Sequence, residues 1–300
     1  MENKPTRAGF VSLIGAPNAG KSTIANHFAG SKVSIVSPKA QTTRTVVKAI
    51  GVFENTQIIF LDTPGIFNPK RRLDRAMLAA AWGGVKDADI VALVVDAQKG
   101  LKADTEAIVQ KLKDDNIKAV LLLNKTDLIK QEKLLALSKQ INEMYAFEQT
   151  FMVSALKGEH LEDFYHYLAS NLPISPFLYP EEQMSDMPLK LLAAEVVREK
   201  MFLYLRDELP YTSTVEPELW QRRDDETIRA EITIYVARDN QKIIVLGKGG
   251  QMIKKIGMAA RKDLEEMLGE RIHLFLFVKV RENWENDPAR YGLWGLPYNA

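Results

Sequence analysis

The chain has 300 residues, and because domains run to roughly 100–200 residues, two domains are the first expectation. Hydrophobic residues make up 46% and charged residues 26%, as in globular proteins, and 40 Lys and Arg against 39 Asp and Glu leave a net charge of +1. The lack of cysteine excludes a disulfide scaffold, a cysteine nucleophile and a zinc–thiolate site, and no apolar run approaches the ~20 residues of a membrane-spanning helix.

Residues 1–172 alternate short apolar runs, rich in Val, Ile and Leu, with amphipathic stretches. This alternation predicts an α/β doubly wound sheet that is mostly parallel. The predicted strands are Phe10–Ile14, Gln57–Leu61, Ile90–Val95, Ala119–Leu123 and Thr150–Val153. The predicted helices between them include Ser22–Phe28, Thr105–Lys113 and Lys133–Met144.

One connection departs from the parallel pattern. The run Thr45–Val52 is joined to Gln57–Leu61 only by Phe53–Thr56. So short a link suits a hairpin, because a parallel crossover needs about a dozen residues or more. The sequence therefore predicts one antiparallel edge strand.

The composition changes between Pro173 and Pro188, where four prolines and the pair Glu181–Glu182 predict an extended linker. We therefore expect a first domain over residues 1–172 and a smaller α+β domain over residues 189–300. The elements predicted in the second domain are a helix over Leu189–Glu208, strands over Thr212–Glu218 and Ile228–Ala237, a helical region over Lys242–Leu268 and a strand over Ile272–Val280.

The first predicted strand leads into a segment that fits the phosphate-loop pattern G-x-x-x-x-G-K-[ST] and opens the first predicted helix. Glycines let backbone amides curl around phosphates, Lys21 would neutralise the β- and γ-phosphates, and Ser22 would supply an oxygen to Mg²⁺. The predicted phosphate-binding residues are Gly15, Ala16, Pro17, Asn18, Ala19, Gly20, Lys21, Ser22 and Thr23.

A second motif, Asp62-Thr63-Pro64-Gly65, follows the strand Gln57–Leu61, and Ile66 comes next. The carboxylate can hold Mg²⁺ through water, and the amide of Gly65 can reach the γ-phosphate. A third motif, Asn124-Lys125-Thr126-Asp127, follows the strand Ala119–Leu123.

The third motif carries the choice of base, because the carboxylate of Asp127 can accept hydrogen bonds from both N1 and N2 of guanine. Adenine presents no such pair of donors. After the next strand, Ser154-Ala155-Leu156 offers a backbone amide to the guanine O6. Since all the motifs follow predicted strands, the sequence predicts a guanine-nucleotide site.

The motifs resemble those of the translation-factor-like small GTPases, and the resemblance implies a slow GTPase that works as a switch. In that class a threonine after the first helix reaches Mg²⁺. Relatives with a Thr-Arg pair use the threonine before the arginine, which favours Thr43 and leaves Thr42 as the alternative. The predicted catalytic residues are Lys21, Thr43 and Gly65, and the predicted Mg²⁺ ligands are Ser22, Thr43 and, through water, Asp62.

Ile66 occupies the position of the water-orienting glutamine of Ras-like GTPases and cannot polarise water. Asn18 resembles the asparagine with which potassium-stimulated GTPases bind K⁺ near the phosphates; the alternative is a turn residue that tolerates left-handed backbone. Arg44, Arg71 and Arg72 are candidates for an arginine finger, although the last two lie in a charge run of a kind that more often faces solvent.

A second candidate site is the segment Gly247-Lys248-Gly249-Gly250, which fits the G-x-x-G element of KH domains. Residues 240–262 contain six Lys and Arg and no Asp or Glu, whereas residues 173–300 contain 18 basic against 21 acidic residues. A basic patch within an acidic domain is typical of a nucleic-acid-binding face. The predicted RNA-binding residues are Gly247, Lys248, Gly249, Gly250, Lys254 and Lys255.

The two halves together resemble the Era family of bacterial GTPases, in which a GTPase domain precedes a type II KH domain. The resemblance covers essentially the whole chain, including Pro38–Arg44 and Val245–Gly250. It implies GTP or GDP, Mg²⁺ and, through Asn18, K⁺ as ligands. The implied partners are the 3′ end of 16S rRNA and the 30S subunit, with a role in small-subunit assembly and a link to growth control.

The same resemblance implies a monomeric cytoplasmic protein that binds no DNA. Family members are also described as partly associated with the cytoplasmic face of the inner membrane, for which only the aromatic tail Tyr291–Tyr298 offers a feature. We expect that tail to pack on the KH domain. Two other functions stay open from the sequence: an RNA-binding scaffold without turnover, and a related GTPase acting in tRNA modification or large-subunit assembly.

Overall fold

The computed structural model describes residues 5–300, which form two compact units. The first unit comprises residues 5–34, 43–186 and 291–300, and the second comprises residues 35–42 and 187–290. Each unit has its own sheet and its own hydrophobic core. No helix among the described residues combines the length and the apolar character needed to cross a membrane.

The first unit contains six strands and five helices in alternation. The strands are β1 (Arg7–Ile14), β2 (Val47–Phe53), β3 (Thr56–Asp62), β4 (Ile90–Asp96), β5 (Val120–Asn124) and β6 (Thr150–Val153). The helices are α1 (Lys21–Ala29), α2 (Arg72–Lys86), α3 (Ala103–Asp114), α4 (Gln131–Met144) and α5 (Leu161–Asn171).

The six strands form one sheet in the order β2-β3-β1-β4-β5-β6. All neighbouring pairs are parallel except β2 and β3, which form an antiparallel hairpin at the edge. The predicted fold class and its single antiparallel edge strand are therefore confirmed. Every residue of β3 is buried, because helices cover both faces of the sheet.

Two helices of the first unit, α2 and α5, were not among those predicted. The helix α2 begins within the basic run Lys70–Arg72, which gives no sequence signal for a helix start. Its N-terminus is nevertheless capped, because Asp74 Oδ2 accepts hydrogen bonds from the backbone N–H groups of Lys70 and Arg71 at 3.1 and 3.0 Å. Its buried positions Leu73 and Met77 then follow at helical spacing.

The proline-rich segment contains no helix or strand and lies against the first unit. Gln57 fixes it, since its Oε1 accepts the N–H groups of Leu178 and Tyr179 at 2.8 and 3.0 Å. The N–H of Ile50 donates to the carbonyl oxygen of Met184 at 2.9 Å. Residues up to Asp186 therefore count with the first unit.

The second unit has the element order α-β-β-α-α-β, in which the predicted helical region over Lys242–Leu268 forms two helices, and the KH fold is confirmed. Its elements are α6 (Leu189–Tyr204), β7 (Ser213–Arg222), β8 (Ile228–Val236), α7 (Asp239–Leu246), α8 (Gln251–Leu268) and β9 (Ile272–Val280), and a short helix α9 (Pro288–Leu293) follows. β7 and β8 are antiparallel, whereas β8 and β9 are parallel. Apolar side chains of α6 and α8 pack on this sheet to form the core.

The aromatic tail lies with the first unit and not, as the sequence predicts, with the KH core. The guanidinium of Arg72 stacks over the ring of Tyr298 at 4.5 Å, and Arg75 Nε donates to the carbonyl oxygen of Ala300 at 3.3 Å. Both arginines belong to α2. A cation stacked on an aromatic face therefore takes the place of the expected apolar contact.

Candidate functional site

The carboxyl ends of parallel strands bring the predicted motifs to one edge of the first unit's sheet. β1 and β3 pair so that Leu13 lies beside Asp62, and β5 pairs with β4 so that Asn124 lies beside Asp96. The segments that follow these strands therefore meet outside the same edge. Open α/β sheets bind ligands in such a crevice.

The phosphate loop connects β1 to the first residue of α1, Lys21. Gly20 has a φ of 102°, and a Cβ at this position would lie 2.1 Å from Asn124 Nδ2, so only glycine fits. The first amides of α1 have no partner within the helix, and together with the helix dipole they favour an anion. The loop therefore has the backbone of an anion site.

Lys21 is the buried cation of this loop. Its ammonium group donates to the carbonyl oxygens of Gly15 and Ala16 at 3.0 and 3.1 Å. Burial lowers the pKa of Lys21 to about 8, and the nearby charge of Asp62 opposes that shift. A phosphate group here would add negative charge beside the buried ammonium and stabilise its charged form.

Asp62, at the end of β3, is fully buried. Ser34 Oγ donates to its Oδ2 at 2.6 Å, whereas its Oδ1 has no hydrogen-bond partner. Burial raises the pKa of Asp62, and hydrogen bonding to hydroxyls and the charge of Lys21 oppose the shift. An unpartnered buried carboxylate oxygen is costly, so the site calls for a cation or a water.

The structure brings Thr43 rather than Thr42 to this carboxylate's neighbourhood. Thr43 Oγ1 lies 3.0 Å from Ser22 Oγ, whereas Thr42 Oγ1 donates to the carbonyl oxygen of Lys39 at 2.7 Å. Among the described residues, no group of three or more His, Cys, Asp or Glu is placed so that it could hold a metal ion. One carboxylate with two hydroxyls is instead an oxygen donor set of the kind that Mg²⁺ takes together with phosphates and waters.

Asn124 joins three of the motifs. Its Nδ2 donates to the carbonyl oxygen of Ala19 at 2.8 Å, and its Oδ1 accepts the N–H of Ala155 at 3.0 Å. The same oxygen accepts the N–H of Lys125 at 2.8 Å. This buried amide therefore fixes the phosphate loop against the two segments predicted to bind the base.

The predicted base-binding side chains are oriented by partners of their own. Ser154 Oγ donates to Asp127 Oδ1 at 2.7 Å. Lys125 Nζ donates to the carbonyl oxygen of Asn18 at 2.8 Å and pairs with Asp96 Oδ2 at 2.6 Å.

Asp96 and Ser34 contact the predicted site residues Lys125 and Asp62 and were missed by sequence reasoning. Asp96 ends β4 at the same sheet edge, and this position at the end of a buried apolar run could have indicated it. Ser34 carried no such signal.

The segment after β3 closes over the phosphate loop. Thr63 Oγ1 donates to the carbonyl oxygen of Leu13 at 2.6 Å, and the N–H of Ile66 donates to the carbonyl oxygen of Gly15 at 3.0 Å. The side chain of Ile66 is buried in the apolar core, in keeping with its inability to orient water.

The other predicted residues of the nucleotide site lie in the same loops. Ala16 and Pro17 are partly buried in the phosphate loop, and a Cβ at Gly65 would lie 2.8 Å from Pro17 Cα. The rest are Thr23 in α1, buried Pro64, Thr126 in a 3₁₀ turn and Leu156, which is largely exposed.

The arginines proposed from sequence as fingers are engaged elsewhere. Arg71 pairs with Asp74 at 3.3 Å, Arg72 stacks on Tyr298, and Arg44 is buried. Asn18 adopts left-handed backbone with a φ of 64°, which suits the turn interpretation. A role of its side chain in binding K⁺ stays a prediction.

The G-x-x-G segment of the second unit turns the chain from α7 into α8. Gly247, Gly249 and Gly250 all have positive φ values, and Lys248 is exposed. No heavy atom lies within 4 Å of a Cβ built on Gly249 or Gly250, so this face of the turn is open. The backbone of a single strand could therefore approach it closely.

An open groove of about 270 Å³ runs beside this turn between α8 and β9. Its lining combines apolar side chains with two cations: Ile253, Lys254, Gly257, Met258, Arg261, Leu274 and Leu276. Lys255 is not among them, because its ammonium lies 4.3 Å from the centre of the Tyr204 ring. Of the three lysines predicted from sequence to bind RNA, only Lys254 therefore lines the groove, and Arg261 of the same basic patch lines it as well.

Comparison with known proteins agrees with both units. Residues 10–125 match a family described as 50S ribosome-binding GTPase, and residues 208–285 match the KH domain family. The chain is 56% identical to the GTPase Era of Sinorhizobium medicae over 98% of its length and 95% of the relative's, and 54% identical to that of Brucella suis over 99% and 96%.

Solved structures extend the similarity to the whole fold. An Aquifex aeolicus Era variant bound to GDP and AlF₄⁻ matches with a TM-score of 0.91 and 37% identity, over 97% of this chain and 99% of that one. An Era bound to MgGDPNP and nucleotides 1506–1542 of 16S ribosomal RNA also matches with a TM-score of 0.91, at 38% identity and the same coverage.

Proposed function

This chain belongs to the Era family of GTPases, and from that membership we propose a GTP-hydrolysing switch that binds the 3′ end of 16S rRNA and acts in 30S subunit assembly. GTP hydrolysis is the family's activity. The proposed nucleotide binding rests mainly on one observation: Asn124 hydrogen-bonds the phosphate loop and both of the segments that would bind the base. A scaffold without turnover is disfavoured, because Lys21, Ser22 and Asp62 meet at one edge of the sheet.

The phosphates of GTP would lie over the loop at the N-terminus of α1. Lys21 would exchange its two carbonyl contacts for phosphate oxygens, and Gly65 would offer its amide to the γ-phosphate. Ser22, Thr43 and, through water, Asp62 would hold Mg²⁺, which supplies positive charge to the β- and γ-phosphates when bound. The unpartnered Oδ1 of Asp62 supports this assignment.

The attacking water receives no help from Ile66, because its side chain lies in the core. Since Arg71 and Arg72 are held by Asp74 and Tyr298, the proposal places the missing positive charge on a K⁺ bound near Asn18. Slow turnover without that cation follows, which suits a switch.

The base would lie between Lys125 and the Ser154–Leu156 segment. Asp127 would accept N1–H and N2–H of guanine, and the N–H of Ala155 or Leu156 would donate to O6. Ser154 supports this arrangement, because its hydroxyl holds one oxygen of the Asp127 carboxylate. Guanine is preferred over adenine because adenine would leave that carboxylate unpaired.

RNA would bind the open G-x-x-G turn and the groove beside it. Apolar side chains of Ile253 and Met258 can contact bases, while Lys248, Lys254 and Arg261 can neutralise phosphates. The match to an Era solved with a 16S rRNA segment supports single-stranded rRNA as the ligand. Lys255 belongs to the same basic patch and lies on Tyr204.

The proposal includes a monomeric cytoplasmic protein, with no affinity for DNA and with peripheral association at the inner membrane as a secondary location. Membership in the Era family supports small-subunit assembly over the two related roles that stay open from sequence, in tRNA modification and large-subunit assembly.

RNA crosslinking in cells, followed by sequencing, tests the rRNA assignment. We expect reads at the 3′ end of 16S rRNA that are lost in Gly249→Asp. Reads dominated by tRNA or 23S rRNA would contradict the proposal. A phosphate-release assay with purified protein, with and without a 16S 3′-end oligonucleotide, tests the switch; the matched control is an oligonucleotide of scrambled sequence.

A further inference from the structure

The loop of residues 35–42 is held by α6 of the second unit, although it directly precedes Thr43 of the first. Two consecutive residues of α6, Arg198 and Glu199, bind the loop. The backbone contacts are Val36 N–H to Glu199 Oε1 at 3.0 Å and Arg198 Nη2 to the carbonyl oxygen of Thr42 at 2.5 Å. The loop that leads to the predicted Mg²⁺ ligand is therefore anchored at both of its ends.

Arg198 is itself rigidly placed. It is only 2% exposed, its Nε donates to Glu195 Oε1 at 2.8 Å, and its guanidinium lies 5.5 Å from the centre of the Phe202 ring. A buried guanidinium needs a counter-charge, which Glu195 supplies, and Arg198 then directs Nη2 at the backbone of Thr42. The donor is thus oriented by contacts within its own helix as well as by the loop.

Glu199 is fixed in a comparable way. It forms an ion pair with Lys200 at 3.0 Å, and Lys200 in turn pairs with Asp263 of α8. Glu199 is only 3% exposed, and its contact with the Val36 amide is partly buried. Charge-assisted hydrogen bonds of this kind are stronger than neutral ones.

The loop passes this restraint on to Thr43. Thr42 Oγ1 donates to the carbonyl oxygen of Lys39, and Ser37 Oγ lies 2.6 Å from the same hydroxyl. Thr42 is thus held through its side chain by the loop and through its carbonyl by Arg198. Thr43 is the next residue, and its hydroxyl lies 3.0 Å from that of Ser22.

We propose that Arg198 and Glu199 are positioning residues for GTP hydrolysis, which hold the loop 35–42 so that Thr43 reaches the site of Ser22. The inference rests on the proposed role of Thr43. It assigns part of the hydrolysis machinery to a helix of the KH unit, through backbone contacts that no sequence motif marks.

The first test compares Arg198→Met with Arg290→Met in the full-length protein. Arg290 is a matched control: it is also buried, it pairs with Glu216, and its guanidinium lies 4.7 Å from the centre of the Tyr235 ring, but it has no contact with the loop among those described. Misplacing a reacting group by about 1 Å can cost roughly a hundredfold in rate. We expect Arg198→Met to lower kcat by about tenfold to a hundredfold and to raise the Mg²⁺ concentration for half-maximal rate.

The same pair of variants is also compared by GDP affinity and thermal stability, which distinguish loss of positioning from general loss of stability. GDP affinity should stay within about twofold of the parent, because Thr43 contributes only when the γ-phosphate is present, and Arg198→Lys should recover part of the rate. Arg290→Met should lower thermal stability like Arg198→Met and leave kcat unchanged. Equal kcat values for Arg198→Met and Arg290→Met would overturn the inference.

A second pair keeps the test decisive if Arg198→Met does not fold. Glu199→Gln retains an acceptor for the Val36 amide, whereas Glu199→Met removes it. We expect the Gln variant to hydrolyse GTP several-fold faster than the Met variant at saturating Mg²⁺. Equal rates for these two variants would contradict a positioning role of Glu199.

A double-mutant cycle separates this inference from the proposed function. In a Thr43→Ala background, Arg198→Met should slow hydrolysis by less than about twofold, because the group that it positions is gone. If Thr43→Ala alone leaves the rate unchanged, the proposed ligand role of Thr43 fails. If Thr43→Ala slows hydrolysis and Arg198→Met keeps its full effect in that background, only the positioning role fails.

Discussion

The hydroxyl of Ser154 donates to Asp127 Oδ1 at 2.7 Å and leaves Oδ2 and the second lone pair of Oδ1 for a ligand. An Asp127→Asn variant can keep the contact with Ser154 through its amide oxygen. The substitution then replaces the other carboxylate oxygen, which would face the base, by an NH₂ donor. We expect a loss of more than tenfold in GTP affinity and a gain for XTP, because unpaired buried polar groups cost about 1–3 kcal/mol. Equilibrium titration with both nucleotides measures this; Ser154→Ala, the control, should weaken GTP without admitting XTP. Parent-like GTP binding with no gain for XTP would show that the base binds elsewhere.

Nucleotide binding should take up a proton at alkaline pH. The pKa of Lys21 is about 8 without ligand, and bound phosphates must raise it by favouring the ammonium form. Below pH 8 Lys21 is charged in both states; above pH 8 the free protein loses the proton, so GDP affinity falls as pH rises.

Calorimetry in two buffers of different ionisation enthalpy checks the proton uptake. We expect little uptake at pH 7 and more than about half a proton at pH 8.7. Lys21→Arg is the control, because arginine stays charged at both pH values. Uptake that is absent at pH 8.7 in the parent, or unchanged in Lys21→Arg, would assign the effect to another group.

Hydrolysis should run faster in potassium than in sodium at equal ionic strength if Asn18 binds the cation. Because Asn18 has a φ of 64°, Asn18→Ala removes the amide and also strains the backbone, whereas Asn18→Gly removes the amide alone. Both variants should lose the difference between the two salts. A glycine variant that keeps the preference for potassium would reduce Asn18 to a turn residue.

RNA binding should be lost when a negative charge is placed on the open G-x-x-G turn. Gly249 has a φ of 58° and space for a side chain, which Asp and Asn both tolerate. Gly249→Asp should abolish binding of a fluorescent 16S 3′-end oligonucleotide and leave GTP affinity unchanged. Gly249→Asn separates charge from bulk and should bind more tightly than the Asp variant. Undiminished affinity in Gly249→Asp would place the RNA on another surface.

Two neighbouring lysines of the basic patch, Lys254 and Lys255, should contribute differently to the salt dependence of RNA binding. Lys254 lines the groove, whereas Lys255 lies on the Tyr204 ring. Each phosphate neutralised on a single strand contributes about 0.7 to the slope of log affinity against log salt. Lys254→Gln should lower that slope by about this amount, and Lys255→Gln should change it less. A larger effect of Lys255→Gln would show that the strand crosses the Tyr204 side of α8.

The sequence predicts those parts of the site that short patterns determine. The phosphate loop and the motifs at Asp62 and Asn124 each combine a buried apolar run with the residues that follow it, so both their type and their sheet edge can be read from neighbouring residues. Ile66 is likewise recognised from its position alone. The fold class follows from the same alternation of runs.

The parts that sequence analysis missed depend on pairs distant in the chain. Lys125 and Asp96 are 29 positions apart, and Arg198 and Thr42 are 156 apart. The position of Asp96 at the end of an apolar run could have marked that residue, but no local pattern identifies the partner in either pair, because each contact exists only after folding brings the two segments together. The tail was assigned to the wrong partner for a related reason: aromatic composition predicts burial but does not identify the cations of α2 on which Tyr298 packs.

That tail also sets an order of events during synthesis. The first unit is discontinuous, and its final ten residues, 291–300, leave the ribosome after the entire KH unit has been translated. N-terminal domains usually fold while the chain is still growing. Here the nascent GTPase unit stays incomplete at α2 until translation of the tail, so a chain released after residue 290 would leave Arg72 without the ring on which it stacks.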